Sequence, residues 1–192
     1  MPDGLDLQGR VVAVTGAARG MGRAMVRGFL ADGAKVVAMD VSWHATGFSG
    51  DNDDAFLKEL QDRPDDVLIS TVDISDAQAV ETAYQTTIDK FGAVDALVNN
   101  AGLRQRNLFP PTGKITTLET KDSDWEKMFG VGVFGTLKVT RKFIQPMLKR
   151  QSGSIISVIS GGAMHTAVGG AYVAQRSSSR EMPYQSAKAA TL

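Results

Sequence analysis

The chain alternates short apolar runs with stretches in which apolar residues recur every three or four positions. Runs at 10–14, 35–39, 67–72, 96–99 and 154–159 are rich in valine, isoleucine and leucine and predict strands. Such composition predicts burial on both faces, as in a parallel sheet. Helical spacing predicts helices over 21–31, 53–60 and 76–91, and from 125–128 on toward Arg150. In the third, Ala77, Val80, Ala83, Tyr84 and Ile88 recur at helical spacing, and Asp76 stands where an N-cap belongs. Strand and helix alternate throughout, which calls for right-handed crossovers. The predicted fold is therefore α/β, a three-layer, doubly wound parallel sheet. No repeat or linker divides the 192 residues, so one domain is expected. Two longer stretches, 103–121 with Pro110-Pro111 and the Gly/Ser-rich 161–182, read as loops that either shape a site or are mobile. Within the second, Ser177, Ser178 and Ser179 between Arg176 and Arg180 read as solvent-exposed.

Charge and composition narrow the partners. Lys+Arg and Asp+Glu both number 21, so nothing favours nucleic acid or an anionic membrane. The absence of cysteine excludes disulfides and thiolate chemistry and fits a reducing compartment. The first residues lack the basic and apolar regions of a signal peptide, and no apolar run is long enough to span a bilayer. A cytoplasmic protein is the expectation.

The chemistry begins at Thr15-Gly16-Ala17-Ala18-Arg19-Gly20-Met21-Gly22, between the first strand and the first helix. A tight glycine turn at a helix N-terminus aims backbone N–H groups and a partial positive charge at an anion, here a nucleotide pyrophosphate. Asp40, at the end of the second strand, can accept hydrogen bonds from the ribose 2′- and 3′-hydroxyls of an adenosine. A carboxylate there repels a 2′-phosphate, so NAD is favoured over NADP. Arg19 argues the other way, because a guanidinium could meet that phosphate. The carboxylate weighs more, since its repulsion acts where the phosphate would sit. No Lys-Ser or Lys-Thr follows the last glycine, which speaks against an NTPase phosphate loop. Asn99-Asn100-Ala101-Gly102 closes the fourth strand at the carboxyl edge, and Ser160 ends the fifth run. Tyr184 and Lys188 stand four apart, on one face if helical.

Together these positions resemble the short-chain dehydrogenase/reductase family, with its NAD(P)-binding Rossmann fold. The turn at 15–22, Asp73 after the third strand, Asn99-Asn100-Ala101-Gly102, Ser160 and Tyr184-x-x-x-Lys188 follow in the family's order over nearly the whole chain. The resemblance implies hydride transfer between NAD(H) and a small-molecule secondary alcohol or ketone. It implies cofactor contacts from Gly16, Arg19, Gly20, Met21, Gly22, Asp40, Asp73, Ile74, Asn100, Ala101 and Gly102. Asp73 would meet the adenine, and Asn99 would stabilise the central strands. Tyr184 would act as the acid or base, Ser160 would hold the substrate oxygen, and Lys188 would bind the nicotinamide ribose and favour the phenolate. A free tyrosine, with a pKa of about 10, needs such help near neutral pH. A homodimer or homotetramer is expected on the same ground.

Three features depart from the family pattern. Gly132 stands where the family has an asparagine that completes a proton relay. The gap from Ser160 to Tyr184 is roughly double the usual one. Tyr172 sits at the customary distance, but it is followed four residues on by Arg176 rather than a lysine. Arginine does not replace a compact ammonium, so Tyr184 is preferred and the extra residues read as an extruded loop. The family also continues through another strand and a substrate-covering segment, so a chain ending at Leu192 reads as truncated. His44 and His165 have no partner cluster, and no spacing points to a metal. No Gly-x-Ser-x-Gly elbow surrounds Ser160. Trp43 and Trp125 read as packing residues, and Lys138, Arg141, Lys142, Lys149 and Arg150 as the solvated face of a helix. The rival reading is a non-catalytic nucleotide-binding module or subunit partner.

Overall fold

The computed structural model, which describes residues 7–44, 53–103, 120–160 and 182–191, holds five parallel strands in the order β3-β2-β1-β4-β5. Tyr172, Arg176, His165, the three serines at 177–179 and most of both predicted loops lie outside the described residues. The chain divides into two compact units, Met1–Ala101 with Leu137–Ser157, and Gly102–Thr136 with Val158–Leu192.

The first unit holds the whole sheet: β1 (Val11–Thr15), β2 (Lys35–Asp40), β3 (Val67–Thr71), β4 (Ala96–Asn99) and β5 (Ser154–Ser157). It also carries α1 (Gly20–Ala31), α2 (Asp53–Gln61) and α3 (Ala77–Phe91). The chain lays β2 and β3 to one side of β1, then crosses over to pair β4 with β1 on the other. Ligands bind doubly wound sheets at such a reversal, beyond the strand ends. The predicted strands are all present, with ends shifted by one or two residues. β1 is buried at every position and β2 at all but its first, as their composition predicts. β5 is exposed along its whole length, with Ile156 half-exposed. Among the described residues it has only β4 as neighbour, and composition does not encode strand order.

Asp76 caps α3 as expected, its carboxylate accepting from the N–H groups of Gln78 and Ala79 at 2.8 and 3.3 Å. Gly92 closes that helix in the left-handed region at φ +70°. Asp95 ties the amino end of the sheet, accepting from the Val11 N–H at 2.8 Å and from Arg150 at 3.2 Å. α5 (Thr136–Phe143) and α6 (Gln145–Arg150) follow later in the chain. Within this unit Phe143 meets the Tyr84 ring edge-on, 5.6 Å between centroids. The basic residues here are not merely solvated. Lys138 donates to the Ser75 carbonyl at 2.6 Å, Lys142 pairs with Glu81, and Arg150 donates to the Val94 carbonyl at 2.7 Å. With Gln85, Lys142 holds the exposed Glu81 carboxyl below its usual range, the Gln85 hydrogen bond being the larger cause.

In the second unit, α4 (Asp122–Phe129) runs into a π-helical segment, Gly130–Gly135, and α7 (Met182–Ala189) packs against both. The single long helix predicted from Trp125 onward is thus broken into pieces. Glycines at 130, 132 and 135 give the backbone the freedom a wider turn requires. Trp125 packs on Phe129 with ring centroids 6.3 Å apart, the packing role expected of it. Trp43, in the first unit, is buried, and its indole N–H has no hydrogen-bond partner among the described residues. Among the described residues no helix is long and apolar enough to cross a membrane.

Candidate functional site

Two of the glycines that shape the turn between β1 and α1, Gly16 and Gly22, have no room for side chains. Gly16 adopts φ +67°, and a Cβ there would lie 2.9 Å from both Ala101 Cα and Asn100 Nδ2. A Cβ on Gly22 would lie 1.9 Å from the Gly16 carbonyl oxygen. The end of β4 locks the turn from the other side. The Asn100 carboxamide donates to the carbonyls of Thr15 and Gly16, both at 3.0 Å. The buried Thr15 hydroxyl accepts from the N–H groups of Asn100 and Ala101, also at 3.0 Å. The Asn100 side chain therefore serves the turn itself, and Thr15 is a positioning residue that motif reading passes over. Its signal was a hydroxyl ending an otherwise apolar strand. Asn99 secures β4 by donating to the Thr140 hydroxyl at 3.0 Å.

The first turn of α1 fits a phosphate-bearing cofactor. The N-cap residue Arg19 makes no side-chain cap to this helix and no carboxylate lies in its first turn, whereas α3 in the same unit has its Asp76 cap. A Cβ at Gly20 would meet nothing within 4 Å, so the backbone there can be approached closely. N–H groups left over at a helix start are the donors an anion needs.

Asp40 is buried at the end of β2 and faces the same turn. One carboxylate oxygen accepts from the Ala18 N–H at 2.9 Å and the other from the Ser42 N–H at 3.2 Å. Each oxygen has two acceptor positions, so capacity remains for ribose hydroxyls. Arg19 lies 3.8 Å from the carboxylate and donates to the Ser42 carbonyl at 2.9 Å. The two residues that argue for opposite cofactors are thus drawn together, and the guanidinium is partly neutralised. Asp73, exposed after β3, folds back to accept from the Ser75 N–H and hydroxyl at 2.8 and 2.7 Å, beside buried Ile74.

In the second unit, Tyr184 and Lys188 lie one turn apart on α7, both half-buried. The Lys188 ammonium donates to the Val158 carbonyl at 2.6 Å. A Cβ on Gly102 would lie 3.5 Å from Lys188 Nζ, so the last residue of the Asn-Asn-Ala-Gly turn adjoins the lysine. Burial pushes the Lys188 pKa below the ordinary lysine value. A charge held in such surroundings acts more strongly on its neighbours than one in open water. Ser160 is half-buried three residues beyond the end of β5, not at the strand end as expected, because β5 stops at Ser157. Gly132 sits in the π-helical segment, where a Cβ would make ordinary contact, 3.5 Å, with Ala187 Cβ. The Gly132 carbonyl accepts from the Thr136 hydroxyl at 2.9 Å.

Known proteins resemble this chain in sequence and in fold. The short chain dehydrogenase family matches residues 10–191. Fluoren-9-ol dehydrogenase of Terrabacter sp. (strain DBF63) is 49% identical over 187 residues, which are 97% of this chain and 50% of that protein. The 3beta-hydroxysteroid dehydrogenase 2 of Eggerthella lenta is 31% identical over 150 residues, 78% of this chain and 52% of that protein. The chain thus spans about half the length of these relatives. A short-chain dehydrogenase from Streptomyces avermitilis superposes with a TM-score of 0.73 at 26% identity, over 94% of this chain and 56% of that one. A short-chain dehydrogenase/reductase from Brucella melitensis, at 24% identity, shares the fold with the same TM-score over 97% of this chain and 66% of that one. With the short chain dehydrogenase family matching nearly every residue, from 10 to 191, the chain belongs to the short-chain dehydrogenases/reductases.

Proposed function

We propose that the protein interconverts a secondary alcohol and a ketone with NAD(H), using Ser160, Tyr184 and Lys188. The observation that carries this reading is the half-buried Lys188, one helical turn from Tyr184 and adjoining Gly102. When bound, the nicotinamide supplies the hydride acceptor or donor. In the oxidation direction the Tyr184 phenolate takes the hydroxyl proton of the substrate, and in reduction the phenol returns it to the carbonyl oxygen. The Lys188 ammonium stabilises the phenolate. The Ser160 hydroxyl holds the substrate oxygen. Asp40 receives the adenosine ribose, and its charge favours NAD over NADP. The name of the 49% identical relative makes fluoren-9-ol, a secondary alcohol flanked by two rings, the first substrate to try.

A specific observation favours a second reading. Gly132 offers no side chain where the family's relay has an amide, which fits a nucleotide-binding module without catalysis. One assay separates the two. The purified protein is mixed with NAD or NADP and a panel of secondary alcohols that includes fluoren-9-ol, and reduced nicotinamide is followed by absorbance. Reduction of NAD supports the enzyme. Cofactor binding with no reduction across the panel supports the binding module, and faster reduction of NADP refutes the role given to Asp40. Sedimentation of the same sample tests the homodimer or homotetramer that the family resemblance implies.

A further inference from the structure

Arg23 is a cation inside the first unit, 5% exposed, on the buried stripe of α1 with Gly22, Val26 and Leu30. An arginine does not shed its proton, so its burial has to be offset by contacts. Two of its nitrogens, Nε and one terminal nitrogen, donate to a single acceptor, the Ala18 carbonyl, at 2.9 and 2.7 Å. Its guanidinium also covers the ring of Phe56 in α2, 4.9 Å from the centroid, and Phe56 is itself 1% exposed. Arg27 approaches the same ring at 5.1 Å and is anchored to Glu59 of α2 at 2.7 Å. The Ala18 N–H, meanwhile, donates to Asp40. Both main-chain polar groups of Ala18 are therefore gripped, one by a buried cation and the other by the carboxylate at the tip of β2.

We propose that Arg23 is a positioning residue for the adenosine ribose of the cofactor. It touches no nucleotide. By fixing Ala18 it fixes the N–H that orients the Asp40 carboxylate, and α2 holds it in place through Phe56. A cation doubly bonded to one carbonyl restrains that residue more firmly than a neutral donor would. The proposal rests on the NAD reading of the site.

The test measures binding by calorimetry, with NAD and with its analogue lacking the adenosine 2′-hydroxyl, and follows folding by thermal melting. The wild type is expected to prefer NAD over the deoxy analogue. Arg23→Met is expected to weaken NAD by about tenfold, the scale of a lost charge-assisted hydrogen bond. The deoxy analogue should weaken less, so that the preference collapses. Arg23→Lys keeps one donor and should retain part of it. A merely structural role would weaken both ligands equally and leave their ratio intact. If Arg23→Met does not fold, Arg23→Lys decides by the same ratio. A wild-type preference that persists in the folded variant, or a wild type that binds NAD without any preference, overturns the proposal. A wild type that binds no NAD removes the reading of the site and this proposal with it.

Discussion

Gly22 leaves no room for a side chain against Gly16: a Cβ on the helix residue would fall 1.9 Å from the carbonyl oxygen of the turn residue. Neither partner can move aside, because the Gly16 carbonyl also accepts from Asn100. Gly22→Ala should therefore cost about 1–3 kcal/mol, as overpacking of fixed backbone does. It should also abolish dinucleotide binding by opening the turn. Denaturant unfolding with NAD titration checks both, and a variant that binds like the wild type would show that the turn yields.

Gly132 predicts the opposite outcome. Its φ is not in the left-handed region, and a Cβ there meets Ala187 at an ordinary 3.5 Å. Gly132→Ala should stabilise the fold by about 0.4–1 kcal/mol through reduced freedom of the unfolded chain. Gly132→Asn should fold as well and raise turnover by restoring an amide at this position. Unchanged turnover would mean that no proton relay runs through residue 132.

Tyr184→Phe removes one hydroxyl and keeps the ring. Turnover should fall at least about 100-fold, the scale of a lost general acid–base, while NAD affinity holds. Full activity in that variant would transfer the role to Tyr172.

Lys188 makes stability depend on pH in a direction opposite to that of a lysine gaining a carboxylate partner. Burial lowers its pKa, so the folded state holds fewer protons than the unfolded chain between the lowered value and the ordinary one of about 10.4. The cost of the buried charge is full below that window and fades as pH rises through it. Lys188→Met removes this contribution. The melting temperature of the wild type, relative to the variant, should climb from neutral pH toward about pH 10, and a flat difference would refute the burial effect.

Much of this was legible in the sequence where one residue type serves one local purpose. Asp76 could be read as a cap because a carboxylate just before an apolar periodic run has few other uses. Gly16 and Gly22 could be read as a turn because no other residue fits there. That Tyr184 and Lys188 share a face of α7 was legible from their four-residue spacing, while the role proposed for them comes from the family resemblance. What escaped depended on position in the assembled fold. The exposure of β5 is not written in its apolar composition. The π-helical segment is written in residues that would also suit a regular helix weakened by glycine. The burial of Arg23 hides behind its charge, although its place on the stripe with Val26 and Leu30 was a signal that periodicity could have supplied.

The β1–β4 lock also dictates when this protein can be finished. Thr15 and Asn100 are separated by 85 positions, and every strand pairing among the described residues is parallel, so none of these strands can form an early hairpin with its neighbour. On a ribosome, the nucleotide turn leaves the exit tunnel long before the segment that braces it. Until residue 100 emerges, the main-chain donors and acceptors along the edge of β1 that will pair with β4 must wait without their partner. Non-local topologies fold slowly and expose sticky intermediates. A translational pause before that point would prolong the interval in which the nascent chain depends on chaperones.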